Sequence, residues 1–185
     1  MIGLFGGAFN PPHLGHLELA RRAIDEFDLD KLVVLVSGDP GHKEVECPVD
    51  VRVDLAKRAF ADVPNVEVRA DPYRYTIDLL RAEEPEDAIF LLGADQYRDF
   101  PTWKEPEAVL ERVRLGVATR AGVDRPPLRP EHRGRVEFFE IDSPAIASRE
   151  LRERARRGES LRGFVPPAVA QEIERRGLYR SPALH

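Results

Sequence analysis

Residues 1–24, Met1-Ile-Gly-Leu-Phe-Gly-Gly-Ala-Phe-Asn10-Pro-Pro-His-Leu-Gly-His-Leu-Glu-Leu-Ala20-Arg-Arg-Ala-Ile24, decide how this chain folds. A short apolar run, Met1 to Phe5, leads into a Gly- and Pro-rich turn and then into apolar residues at helical spacing. A buried strand that feeds directly into a helix is the opening unit of an α/β sheet. The same junction makes an anion site. The unpaired N–H groups of the first helical turn, and the positive end of the helix dipole, face whatever sits above the strand. Gly6 and Gly7 let a ligand approach the backbone closely, and Pro11-Pro12 stiffens the turn. His13 and His16 are three apart, so on one helical turn they point to the same side. Two imidazoles beside a phosphate-sized hole indicate handling of a phosphoryl group and not a hydrolytic triad.

Outward from this stretch the pattern alternates. Apolar runs at Ile2–Phe5, Leu32–Val36, Val66–Val68, Ala88–Leu92, Leu115–Thr119 and Val136–Ile141 read as strands. Helical periodicity lies between them at Leu14–Phe27, Val51–Phe60, Ile77–Glu83 and Glu105–Arg112, with two further helices near Ser148–Arg157 and Pro167–Arg176. The expected fold is α/β: a single-domain, doubly wound (Rossmann-like) parallel sheet over residues 1–185, with C-terminal helices. Ligands of such sheets sit at the strand C-terminal ends, near the topological switch point. The Pro- and Arg-rich loop Arg120–Arg135 is expected to be a mobile surface excursion.

Composition excludes several classes. At 185 residues and 42% hydrophobic content the chain suits one domain with a full core. No apolar stretch approaches the ~20 residues that cross a bilayer, and the strand beginning at Ile2 leaves no signal-peptide pattern. Cys47 is the only cysteine, which excludes an internal disulfide or a zinc-thiolate cluster and fits a reducing, cytoplasmic location. Charge is uneven: residues 1–111 hold 12 Lys+Arg against 23 Asp+Glu, and residues 112–185 hold 16 against 10. A basic C-terminal portion beside a phosphate-binding turn suits a small polyanionic substrate. Nucleic acid is not expected, because the basic residues are not interleaved with aromatics and the net charge is −5.

His-x-Gly-His in this setting resembles the signature of nucleotidyltransferases that move an adenylyl or cytidylyl group from a nucleoside triphosphate to a phosphate acceptor. The longer Gly-Gly-Ala-Phe-Asn-Pro-Pro-His-Leu-Gly-His resembles bacterial nicotinate-nucleotide adenylyltransferase. Later segments continue the resemblance. Gly41-His42-Lys43 stands where the family reads Pro-His-Lys, Val36 also replacing a proline. Tyr75-Thr-Ile-Asp-Leu79 resembles Tyr-Thr-Ile-Asp-Thr, with Arg74 and Leu79 in place of Ser and Thr. Gly93-Ala-Asp-Gln and Phe100-Pro-Thr-Trp103 follow, then Ile146-Ala-Ser-Arg-Glu-Leu-Arg152 for Ile-Ser-Ser-Thr-x-Ile-Arg, and Gly177-Leu-Tyr179 closes the pattern.

The resemblance implies transfer of AMP from ATP to nicotinate mononucleotide, in NAD biosynthesis. Catalytic roles fall to His13, His16, Lys43 and Arg152. The nucleotide is expected at Gly6, Gly7, Phe9, His13, His16, Gly93, Asp95, Ser148 and Arg152, and the acceptor at Lys43, Thr76 and Trp103. Thr76 and Ser148 are each placed as a helix N-cap, and Trp103 as an exposed indole face. Mg²⁺ is expected to be held by the ATP phosphates, with no dedicated metal ligands, and a homo-oligomer is compatible with the sequence. The alternatives are nicotinamide mononucleotide or phosphopantetheine as acceptor, a non-catalytic nucleotide sensor, and an RNA-binding fragment. The last fails on size, and retention of both histidines, Lys43 and Arg152 argues against the sensor.

Overall fold

The computed structural model describes residues 1–38 and 46–181. In chain order the elements are β1 (Ile2–Gly7), α1 (Leu14–Phe27), β2 (Lys31–Ser37), α2 (Val49–Ala59), β3 (Val66–Asp71), α3 (Thr76–Glu83) and β4 (Ala88–Gly93). They continue with α4 (Ala94–Asp99), α5 (Pro106–Arg112), β5 (Arg114–Arg120), β6 (Val136–Ile141), α6 (Ser148–Arg156) and α7 (Pro167–Arg176). Short 3₁₀ turns occupy Phe100–Thr102 and Pro130–His132.

The six strands form one sheet in the order β3-β2-β1-β4-β5-β6, and every neighbouring pair is parallel. This is the doubly wound arrangement expected from the alternating pattern, with strand order reversing between β1 and β4. Strand side chains alternate between two cores because successive Cβ atoms point to opposite faces. Phe5, Val34, Leu91 and Phe139 pack with α1, α2, α6 and α7 on one face. Leu4, Leu35, Phe90 and Val117 pack with α3, α4 and α5 on the other. α1 turns Leu17, Ala20, Ala23 and Phe27 inward at helical spacing.

A charged staple joins α7 to α2. The buried Glu172 carboxylate accepts hydrogen bonds from Arg175 at 2.6 and 2.9 Å and from Arg176 at 2.5 Å, and it lies 3.7 Å from Arg58 of α2. These bonds from Arg175 and Arg176 hold its carboxyl down to about 2.

The segment 120–135 runs over the surface, as expected, and is tied down at particular residues. Its 3₁₀ turn buries His132, whose Nδ1 lies 2.9 Å from the Tyr97 hydroxyl of α4. Arg98 of the same helix donates to the Asp124 carbonyl at 2.8 Å. A buried imidazole needs such a partner, and here it anchors the loop.

Candidate active site

The C-terminal ends of β1, β4, β5 and β6 open into a cavity of about 800 Å³. Its walls bring together all nine residues expected to hold the nucleotide: Gly6, Gly7, Phe9, His13, His16, Gly93, Asp95, Ser148 and Arg152. Sheet order explains why. β1 and β4 are neighbours, so the turn after one and the helix after the other diverge and leave a crevice between them.

The two histidines are built into the start of α1. His13 is the N-cap, and its Nδ1 accepts from the Gly15 N–H at 3.1 Å. His16 lies in the first turn, and its Nδ1 accepts from the His13 N–H at 3.1 Å. The rings stack at 3.7 Å between centroids. With His13 Nδ1 accepting a backbone hydrogen, the Nε2–H is the remaining donor of its neutral ring. Gly15 is required by this packing: a Cβ there would lie 3.0 Å from the His13 ring. Burial, and after it the Arg120 charge, pushes His13 down to about 4, so its imidazole is neutral at pH 7.

The turn between β1 and α1 is pinned from the far end of the chain. Ser148 Oγ donates to the Pro11 carbonyl at 2.8 Å, Arg152 Nη1 to the Asn10 carbonyl at 2.9 Å, and the buried Tyr179 hydroxyl to Asn10 Oδ1 at 2.7 Å. The Asn10–Pro11 peptide is cis, and Phe9 has a positive φ of 48°.

Two capping expectations are corrected. The N-cap of α6 is Ala147, and Ser148 is the first helical residue, its hydroxyl committed to Pro11. The N-cap of α3 is Tyr75, and Thr76 begins the helix. Each motif enters its helix one residue earlier than the cap preference of Ser and Thr indicates.

Thr76 and Trp103 do not line the cavity. They sit together on the opposite face, where Lys104 Nζ bonds Asp78 at 3.0 Å and lies 4.9 Å over the Tyr75 ring. Trp103 is half-buried rather than presenting an open face, packed edgewise on Phe100 at 5.2 Å and Phe90 at 6.1 Å. Phe90 in turn underlies Gly6, where a Cβ would meet its ring at 3.1 Å. Trp103 is thus one ring removed from the cavity floor. Lys43 and His42 lie outside the described residues.

Arg120 is a cavity residue that the sequence pattern did not single out. It ends β5, and its Nε is buried with no hydrogen-bond partner among the described residues. Arg152 Nε is likewise buried without a hydrogen bond among the described residues, and it is ion-paired with Glu46 Oε1 at 3.4 Å. The available signal was position: Arg120 is the last residue of a strand whose C-terminal end faces the cavity. Asp95 is almost fully exposed and paired with Arg98 at 2.5 Å.

Comparisons with known proteins identify the family. Residues 4–154 match the cytidylyltransferase-like family model. A Thermus thermophilus protein named "probable nicotinate-nucleotide adenylyltransferase" is 39% identical over 97% of this chain and 99% of its own length. A Desulfitobacterium hafniense protein of the same name is 34% identical over 97% of this chain and 95% of its own. This chain belongs to the nicotinate-nucleotide adenylyltransferase family. Solved Plasmodium falciparum nicotinic acid mononucleotide adenylyltransferase, complexed with NaAD, shares the family fold. It superposes with a TM-score of 0.78 at 16% identity, covering 96% of each chain. Like other adenylyltransferases of the family, the chain is a nucleotidyltransferase, and no described helix is long and apolar enough to cross a membrane.

Proposed function

We propose that this enzyme transfers AMP from ATP to the phosphate of nicotinate mononucleotide, forming nicotinate adenine dinucleotide and pyrophosphate in NAD biosynthesis. The observation that carries the reading is the donor set of the cavity. His13 and His16 stack at the start of α1, and Arg120 and Arg152 join them in the same wall, so two imidazoles and two guanidinium groups converge on one space. Such a set of cations and imidazoles calls for an anionic ligand, and a triphosphate supplies several oxygens at once.

The acceptor phosphate is already an oxyanion, so no general base is needed. One of its oxygens bonds the α-phosphorus as the bond from that phosphorus to the bridging oxygen breaks, and the electron pair leaves with pyrophosphate. Catalysis rests on positioning and on neutralising charge that spreads over the phosphoryl oxygens. In this reading His16 is nearest the α-phosphate, and His13, Lys43 and Arg152 are also assigned to the triphosphate. Ser148 holds the turn through Pro11 and donates to the leaving pyrophosphate if that bond opens. Gly6, Gly7 and Phe9 form the backbone cradle, and Gly93 and Asp95 meet the ribose. Thr76 and Trp103 serve the pyridine side.

The cavity's donors fit a metal-complexed triphosphate better than a bare cation. They are cationic or N–H groups, and no group of three or more His, Cys, Asp or Glu side chains suited to a metal gathers among the described residues. Mg²⁺ held by the phosphates would offset their charge. The reading takes residues 1–185 as one cytoplasmic nucleotidyltransferase domain that acts on ATP and nicotinate mononucleotide.

The test is pyrophosphate release with ATP and each acceptor. A carboxylate accepts from donors at the start of α3, whereas an amide sets its own N–H₂ against one of them. Such a mismatch costs roughly 1–3 kcal/mol, so kcat/KM is expected to favour the acid over the amide by at least about tenfold. Equal or greater flux to the amide product in a competition assay would reassign the acceptor.

A further inference from the structure

Arg52, on α2, is 2% exposed and lies outside the cavity wall, and no carboxylate pairs with it among the described residues. Its guanidinium is compensated by three backbone carbonyls. Nε donates to Cys47 at 2.9 Å, and Nη1 donates to Ala8 at 2.9 Å and to Ser37 at 2.8 Å. A buried cation without a counter-charge is costly, and a Met or Leu would fill the same volume without that cost. Fold stability alone does not account for an arginine here.

The three carbonyls belong to three separate parts of the chain. Ala8 lies in the turn between β1 and α1 and lines the cavity. Ser37 is the last residue of β2, and Cys47 precedes the start of α2 by two residues. Ser37 and Cys47 therefore flank the sequence that carries His42 and Lys43. In a trans peptide the carbonyl and the N–H point opposite ways, so holding the Ala8 carbonyl on Arg52 turns the Phe9 N–H to the other side of the chain. Phe9 has a positive φ, a conformation a bulky residue keeps only when its surroundings impose it.

We infer that Arg52 is a positioning residue, a single guanidinium that locks the phosphate-facing turn to the end of β2 and the approach to α2 so that the two substrates meet in line. The inference rests on the cavity being the nucleotide site. A displacement of about 1 Å in such a turn is enough to cost on the order of a hundredfold in rate.

The experiment compares wild type, R52M and R52K as full chains, each assayed well below its own melting temperature. R52M is expected to lower kcat by at least about tenfold with both substrates saturating, while each KM changes less. R52K, whose ammonium reaches some of the carbonyls, is expected to recover part of that loss. Amide hydrogen exchange at residues 6–10 and 46–48 should rise in R52M relative to the core strands. A folded R52M with kcat within about twofold of wild type, or exchange raised equally everywhere, overturns the inference. If R52M does not fold, R52K decides. A loss of about threefold or more in kcat with wild-type circular dichroism supports the brace, and wild-type kcat overturns it. Absence of pyrophosphate release by wild type with any acceptor would sink the enzymatic reading instead, leaving the exchange comparison to judge Arg52.

Discussion

His16 Nδ1 receives the His13 N–H, and its ring lines the cavity. His16→Ala removes a donor aimed at developing charge, which costs on the order of 3 kcal/mol, or about a hundredfold or more in turnover. Loss of the capping bond adds about 1 kcal/mol of destabilisation, so the fold should survive. Steady-state rates with circular dichroism as control check this, and near-normal turnover would remove His16 from the mechanism. His13 carries a separate signature in pH. Its folded value of about 4 lies below the ordinary 6.5, so between these pH values the unfolded chain binds the extra proton. Stability therefore falls as pH drops through that window, by roughly 3 kcal/mol for this group. His13→Asn keeps a capping side chain but cannot titrate. Urea unfolding from pH 7 to 4 should show a shallower decline in the variant, and parallel declines would mean that His13 is not held neutral.

The helices that flank the sheet are held by different means. α1 relies on its apolar stripe, whereas α7 is fixed to α2 in part through Glu172 and the arginines around it. The Glu172 carboxyl is depressed from 4.5 to about 2, so its contribution is complete above about pH 4.5 and disappears as pH falls through 2. Glu172→Gln should lower the Tm at pH 7, and the difference from wild type should shrink as the pH approaches 2. A constant difference across that range would show that packing, not charge, is what the substitution disturbs. Helix entry was the least legible feature of these elements. Thr76 and Ser148 have the side chains of good caps, yet the caps are Tyr75 and Ala147. For Ser148 the reason is visible, since its hydroxyl is worth more tied to Pro11 than turned back on its own helix.

The residues proposed for the nucleotide and those proposed for the pyridine side lie apart in the fold. The first group lines one cavity, and the second reaches it through Phe90. Trp103 is the only tryptophan, so its emission reports on that second region without interference. Saturating nicotinate mononucleotide should change the fluorescence, and Trp103→Ala should raise the KM for the acceptor more than that for ATP. Unchanged emission together with an unchanged KM would make Trp103 a packing residue for Phe90 and Phe100 only.

Strand and helix order, the parallel sheet and the tight turn between β1 and α1 could all be read from residues 1–24 and the alternation that follows. Each depends on local periodicity and on the turn chemistry of Gly and Pro, which act between near neighbours. Motif spacing likewise marked the nine residues that meet in the cavity, because ligands of a doubly wound sheet lie at strand ends. The contacts that shape the turn were beyond that reading. Arg52 reaches Ala8 across 44 positions, Ser148 reaches Pro11 across 137, Arg152 reaches Asn10 across 142, and Tyr179 reaches Asn10 across 169. Arg120 shows the same limit, since only the packing of β5 beside β4 and β6 buries its Nε with no hydrogen-bond partner among the described residues. Local sequence selects the elements, but which polar atoms remain unsatisfied depends on what distant segments bring to them, and that was decided only when the chain closed on itself.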